Sequence, residues 1–287
     1  MKSIAKYLGL VKFAHTIFAM PFALMAFSYA LWSTEAAFSW WLLLQVVLCM
    51  VFARNVAMGF NRWADRDIDA ENPRTAQREI PSGEITPNKA LAFVVVNAVL
   101  FVATAVTINT LTALLSPVAL AVIMLYSYCK RFTWASHLVL GLSLAIAPAG
   151  AYIAVTGGLD IVTCLLSLVV LTWCGGFDII YALQDAEFDR KRGLHSIPSA
   201  FSTAVSLYIS IALHCVSVVA LVLFALAQPQ SWLLWCGVAL FTAILVAEHI
   251  LVTPTHQRSI GIAFGTLNGL ASLTLAAFLI ANIIIFG

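Results

Sequence analysis

The sequence predicts an all-α, polytopic membrane helical bundle of about nine transmembrane helices, forming a single domain over residues 1–287. Three observations predict it. Hydrophobic residues make up 62% of the chain and charged residues 10%, far from the roughly 45–50% apolar content of a soluble domain. Apolar stretches near the ~20 residues that a ~30 Å hydrocarbon layer requires recur along the whole length. All 15 Lys and Arg residues fall in alternate connections between those stretches, the asymmetry expected of a threaded membrane chain. Strands are excluded because a segment in lipid must satisfy its backbone groups internally.

Taken in order, the first span is Phe13–Trp32, preceded by Lys2, Lys6 and Lys12. It is longer than the 7–15 residues of a signal-peptide core and has no small-residue cleavage site, so it reads as a retained helix. No Arg/Ser-rich transit peptide precedes it, which points to a bacterial plasma (inner) membrane. The second span is Phe38–Met58, with Arg54, Arg62, Arg66, Arg74, Arg78 and Lys89 around its far end. The third and fourth, Lys89–Ile108 and Leu111–Cys129, are separated by Asn109-Thr110 alone. Merging them would invert everything downstream and scramble the charge sorting, so they are two helices. Lys130 and Arg131 precede the fifth span, Ser136–Val155. Arg190, Lys191 and Arg192 follow the sixth, Ile161–Ile180. The seventh and eighth are Ser202–Ala227 and Trp232–Val252, with Arg258 before the ninth, Ile260–Phe286. The connections near Thr34, Asn109, Gly157 and Gln228 hold no base. The basic side is cytoplasmic by this rule, and so is the N-terminus. The net charge of +2 therefore reflects topology and gives no reason to expect a nucleic-acid partner. Six cysteines without a CxxC pair read as membrane-buried free thiols, and the six histidines form no HExxH pattern.

Charge is concentrated in FNRWADRDIDAENPRTAQREIPSG, residues 60–83, which holds nine of the 28 charged residues. Within it Asn61, Asp65 and Asp69 stand at i, i+4 and i+8, one stripe of a helix. Pro73 disfavours helix at Asn72 and ends it there. A second ladder follows in DIIYALQDAEFDRKRG: Tyr181, Asp185 and Asp189 share the spacing, with Gly193 as the helix stop. Asp67 and Glu187 lie off the stripes and are expected to face solvent.

Both ladders end helices on the basic face. Four carboxylates brought together across a bundle repel one another unless cations join them. Hard oxygen donors suit Mg2+, which takes one or two carboxylates plus waters and substrate phosphates. A magnesium-bridged diphosphate completes the charge balance, with Arg74, Arg78, Lys130, Arg131, Arg190, Lys191 and Arg192 available for its oxygens.

At these residues the sequence resembles the UbiA superfamily of intramembrane aromatic prenyltransferases. NRWADRDID, NPRTAQREIPSG, YSYCKRFTWASHLVLG and YALQDAEFDRKRG occur in the family's order, and the likeness covers nearly the whole chain. The resemblance implies a UbiA-type bundle with a cytoplasm-facing polar cap. There a polyprenyl diphosphate is bound through magnesium and its chain passed to a small aromatic acid. By the resemblance, Asn61, Asp65, Asp69, Asp185 and Asp189 are metal ligands; the four aspartates and Tyr181 form the catalytic set. Asn61, Arg54, Arg74, Lys130, Arg131 and Lys191 are substrate-binding, with Arg131 or Arg54 for the acceptor's carboxylate. Arg62 replaces an aspartate that many members carry, which leaves the number of magnesium ions open. The wording is nearest the 4-hydroxybenzoate polyprenyltransferase-like branch, which includes enzymes acting on dihydroxynaphthoates, both in respiratory quinone biosynthesis.

In that chemistry metal and cations stabilise the leaving diphosphate. Tyr181, Tyr126, Phe60 and Phe177 are candidates to face the allylic cation. Carboxylates that hold metal are poor bases, so the base stays unassigned. Asp178 and Glu248 are the acids within spans, functional candidates by position; Asp178, one turn before Tyr181, is a candidate to line the same cavity. Glu248 and His249 read as a local polar pair, and Asn268 as a weaker cavity candidate. Pro21, Pro148, Gly141 and Gly150 read as kink and close-approach positions. Two alternatives are a CDP-alcohol phosphotransferase, whose DGxxAR element is missing here, and a cation-coupled transporter, whose acids sit nearer the bilayer midplane.

Overall fold

The computed structural model describes residues 7, 9–11 and 18–287. Lys2, Lys6, Lys12 and the first part of the expected opening span lie outside the described residues. The described residues are predominantly helical: α1 (Met20–Thr34), α2 (Trp40–Ala64), α3 (Arg66–Glu71), α4 (Pro87–Val106), α5 (Thr110–Cys129) and α6 (Ser136–Thr156) come first. Then follow α7 (Ile161–Ala182), α8 (Ala186–Arg192), α9 (Ile197–Ala200), α10 (Thr203–Leu226), α11 (Trp232–Leu251) and α12 (Asn268–Phe286). Among the described residues eight helical stretches are long and apolar enough to cross a bilayer. With α1, the described part of the first span, this agrees with about nine.

Polar caps decide where the spans begin. Ser39, Asn109, Asp160, Ser202 and Ser231 each accept a hydrogen bond from a backbone N–H of the first turn that follows, meeting donors that helices otherwise leave orphaned. Asn109 settles the crowded third connection. Its extended backbone (φ −160°) and side-chain cap on Thr112 start α5 with only Thr107, Ile108 and Asn109 between it and the end of α4.

Helix α7 lies at the centre of the bundle, against α6 and α10, and α2 packs on α4 and α5. The core around α7 contains Trp173, Phe22, Phe224 and Phe241, all fully buried. At Gly141 of α6, a Cβ would stand 2.1 Å from the Leu171 carbonyl oxygen, so α6 meets α7 there at backbone distance, the close approach expected from the sequence. Gly150 has no such neighbour. The outer surface is apolar: Trp40, Ile161 and Ile284 are each more than three-quarters exposed, as a lipid-facing surface requires.

Two sequence expectations are corrected here. His249 does not pair with Glu248; its Nε2 lies 3.0 Å from His214 Nδ1, while Glu248 is fully buried. Adjacent residues on a helix point about 100° apart, so they address different neighbours. Asn268 faces no cavity. It accepts from Trp173 Nε1 at 2.6 Å and donates to the Ala263 carbonyl at 2.9 Å, serving a carbonyl in the π-helical turn Ile262–Leu267 that precedes α12.

Candidate functional site

The two ladders meet in one cavity of about 340 Å³. It runs from Val46, near the start of α2, to Asn61, near its end. Its deep part is apolar, with Met50, Ile108, Leu144 and Ala151. Its polar end is lined by five carboxylates (Asp65, Asp69, Asp178, Asp185, Asp189) and five cations (Arg54, Arg62, Arg74, Arg78, Lys130).

Neither ladder rides on one unbroken helix, as the spacing predicts. Helix α2 ends at Ala64, Asp65 adopts φ −98° and ψ 10°, and α3 restarts at Arg66. Likewise α7 gives way to a 3-10 turn, Leu183–Asp185, before α8. The spacing survives because the rungs persist at the ladder positions of the first break: Asp65 N–H donates to Asn61 O at 2.9 Å and Asp69 N–H to Asp65 O at 2.7 Å. The ends fall where expected. Asn72 is extended ahead of Pro73, and Gly193 terminates α8 at φ +71°, a backbone that glycine tolerates freely. Asp67 and Glu187 are exposed.

Each ladder carboxylate has a basic partner. Asp65 accepts from Arg131 Nη2 at 3.1 Å and from Asn61 Nδ2 at 3.0 Å. Asp69 accepts from Arg78 at 2.6 Å, with Arg62 3.9 Å away. Asp185 is held by Arg74 through both carboxylate oxygens, with Asn72 Nδ2 at 3.0 Å. Asp189 accepts from Ser196 Oγ at 3.0 Å and lies 3.5 Å from Lys130 Nζ. The partners cross between ladders. Asn72 and Arg74 follow the first ladder yet bind the second, and neighbouring Lys130 and Arg131 each take one.

The electrostatics follow from this crossing. Burial pushes the Asp65 carboxyl above its usual range, against the opposing hydrogen bond from Arg131. For Arg74, burial works against the charge, but the hydrogen bonds it donates to Asp185 and Tyr181, with their nearby charge, outweigh it and hold the guanidinium charged. Lys130 is likewise penalised by burial and held charged by Asp189, Asp178, Asp185 and Asp65.

Most expected residues are brought together. Arg54 lines the cavity, and its buried Nε finds no hydrogen-bond partner among the described residues; the same holds for Arg62 Nε. Arg74 Nη1 donates to Tyr181 OH at 2.8 Å, and Tyr181 stacks on Phe264 with centroids 4.1 Å apart. Tyr126 and Phe177 line the cavity too. Arg131 reaches it only by way of Asp65. Two expectations are corrected. Lys191 stands outside: it pairs with Glu187 at 2.7 Å, one turn back on α8, and both side chains are at least three-quarters exposed. Phe60 packs against Trp63 and Tyr128 and does not line the cavity. Its backbone position, one before Asn61, turns it about 100° from the ladder. The sequence reading missed Asn72, Ser196 and His137 as site residues. Asn72 and His137 lay inside quoted motifs; Ser196 gave no local signal.

Do these residues fit a divalent cation? The donors are hard carboxylate oxygens, and Asp69 Oδ2 is buried without a hydrogen bond, an atom whose desolvation asks for a partner. Among the described residues no three carboxylates, thiols or imidazoles form a closed cage. That suits magnesium, which keeps waters and substrate phosphates in its shell and needs one or two carboxylates. Arg54 and Arg62, each with an unpaired Nε, line the same cavity, and guanidinium groups there can donate to diphosphate oxygens.

The family model described as "UbiA prenyltransferase family" matches residues 19–284. A 4-hydroxybenzoate octaprenyltransferase of Aeromonas salmonicida (strain A449) is 30% identical over 224 residues, 78% of this chain and 77% of that one. The apo structure of a UbiA homolog from Aeropyrum pernix K1 superposes with TM-score 0.81 at 29% identity, covering 93% of this chain and 97% of that one. A UbiA homolog from Archaeoglobus fulgidus bound to GPP and Mg2+ shares the fold, with TM-score 0.76 at 21% identity over 98% of this chain and 100% of that one.

Proposed function

Because the chain belongs to the UbiA prenyltransferase family, and is thus a multi-pass membrane prenyltransferase, we propose that it transfers a polyprenyl chain from its diphosphate to a ring carbon of 4-hydroxybenzoate. The observation that carries this is one cavity whose polar end gathers both carboxylate ladders and five cations while its deep part is apolar. A diphosphate and a long hydrocarbon tail have those two opposite requirements. Relatives named 4-hydroxybenzoate octaprenyltransferase support the acceptor, and a homolog bound to GPP and Mg2+ supports the metal.

In this reading Asp65, Asp69, Asp185 and Asp189, with Asn61, hold magnesium, which when bound neutralises the diphosphate and makes it a better leaving group. Arg54, Arg62, Arg74, Arg78 and Lys130 take the remaining phosphate oxygens as charge-assisted donors. As the allylic C1–O bond breaks, its electron pair leaves with diphosphate. The rings of Tyr181, Phe177 and Phe264 border the cavity and offer electron-rich faces to the allylic cation. The apolar walls keep water from capturing it. The ring carbon beside the acceptor's hydroxyl then bonds to C1. In this reading that end of the bundle is cytoplasmic and the membrane a bacterial inner membrane, a reading supported by the basic connections gathered there. Respiratory quinone biosynthesis is the setting in which such a product is used.

The test is purified protein in detergent with a polyprenyl diphosphate, Mg2+, and either 4-hydroxybenzoate or a dihydroxynaphthoate. Prenylated 4-hydroxybenzoate, abolished by chelation, supports the reading. Turnover of the naphthoate alone replaces the acceptor, and transfer to neither refutes the proposal.

A further inference from the structure

The cavity contains one carboxylate that the diphosphate chemistry does not use. Asp178 sits on α7 one turn before Tyr181 and lines the cavity. Of the five cavity carboxylates, the other four contact an arginine or lysine. Asp178 has no such partner among the described residues; its ion-pair neighbour is His137 alone.

The tautomer of His137 can be worked out from its contacts. The ring is fully buried. Its Nε2 lies 3.3 Å from the backbone nitrogen of Ile197, and that N–H can only donate, so Nε2 is the bare nitrogen. The single proton of a neutral imidazole then sits on Nδ1, which is 2.7 Å from Asp178 Oδ2. A second proton on Nε2 would meet the Ile197 N–H head-on. His137 therefore donates from Nδ1 and fixes the orientation of the Asp178 carboxyl group through Oδ2. The other oxygen, Oδ1, has no hydrogen-bond partner among the described residues, in a side chain that borders the cavity.

We infer that Asp178 is the proton acceptor of the aromatic substitution, with His137 as its positioning residue; this rests on the transfer reaction proposed above. After C1 bonds to the ring, the attacked carbon carries both the prenyl group and its original hydrogen. Asp178 Oδ1 takes that hydrogen as a proton, and the C–H electron pair restores the aromatic sextet. The products are prenylated acceptor, diphosphate and one proton, with no oxidant or further reactant. Ladder aspartates are unsuited to this role, because carboxylates committed to magnesium and guanidinium have little remaining basicity. The placement fits the chemistry: Asp178 stands on the Tyr181 side of α7, next to the rings that border the cation.

Asp178→Asn keeps an oxygen for His137 and removes the basicity. It is expected to lower kcat by about 10²-fold or more, the size of a general-base contribution, with KM for both substrates little changed. The decisive readout is the acceptor deuterated at the attacked ring position. Wild type shows little isotope effect when ionisation limits, whereas Asp178→Asn gains a primary one because proton loss has become limiting. His137→Asn, whose amide can donate from near the place of Nδ1, retains more turnover than His137→Leu. A thermal shift on adding polyprenyl diphosphate and Mg2+ reports that each variant is folded. Should Asp178→Asn not be folded, the isotope effect in His137→Asn decides: its appearance supports the assignment, its absence overturns it. Folded Asp178→Asn with near-normal kcat, or with a loss confined to KM and no isotope effect, overturns it as well. Wild type that prenylates no aromatic acceptor removes the underlying reading and this one with it, while active wild type beside an unaffected Asp178→Asn removes this one alone.

Discussion

The two ladders share a spacing and differ in their surroundings. In the second, Asp185 is gripped by Arg74 through both oxygens and by Asn72, and Asp189 by Ser196 and Lys130. In the first, Asp69 keeps a buried oxygen without a hydrogen bond, and Asp65 is raised above the ordinary carboxylate range by burial. Both ladders thus have a cation for each carboxylate, but in the first a buried oxygen, Asp69 Oδ2, still lacks a hydrogen bond. Equal spacing guarantees only that side chains share a stripe; what each carboxylate can do depends on which cation reaches it from elsewhere in the chain. On the function proposed above, that open oxygen makes the first ladder the one expected to depend more on added metal.

The largest test of that contrast is chelation. Removing Mg2+ with EDTA is expected to abolish prenyl transfer, measured by product chromatography, and to abolish the thermal shift given by polyprenyl diphosphate. Next come the ladders themselves. Asp69→Asn and Asp185→Asn should each lose about 10²–10³-fold in kcat/KM, the range for removing one group that stabilises a developing charge. They should part in their magnesium titrations. The Mg2+ concentration for half activity rises in Asp69→Asn and moves less in Asp185→Asn, and equal shifts would erase the distinction. Ser196→Ala deletes one hydrogen bond to Asp189, worth about 1 kcal/mol, so activity should fall several-fold with magnesium dependence unchanged. Smallest is Lys191→Ala, which breaks an exposed, solvent-screened i,i+4 pair away from the cavity; turnover should stay within about two-fold of wild type.

Much of the site was legible because it is local. Asn61, Asp65, Asp69, Tyr181, Asp185 and Asp189 are related by helical periodicity, which survives even a break in the helix if i→i+4 hydrogen bonds persist across it. The helix ends at Asn72 and Gly193 were legible from backbone preference alone. Lys191 went astray for a reason of the same kind. A base beside a motif looks like part of it, yet two positions along a helix from Asp189 it faces away, and Glu187 one turn back claims it. Asn72 had a residue type and a motif but no sign that it would reach Asp185, 113 positions on. His137 lay in a motif but nothing in it pointed to Asp178, 41 positions on, and Ser196 gave no sign at all, since an isolated serine has no period or neighbour to mark it.

By itself the sequence determined the all-helical membrane bundle, the separation of α4 from α5, the concentration of charge at one end and the two ladders. Each follows from hydropathy, capping or 3.6-residue periodicity, which act over tens of residues at most. Tertiary structure alone decided which cation answers which carboxylate, that Asp178 faces the cavity beside His137, and that Glu248 and Asn268 do not. Those outcomes depend on contacts between helices far apart in the chain, and Coulomb and hydrogen-bond energies depend on distance in space, which no local pattern encodes.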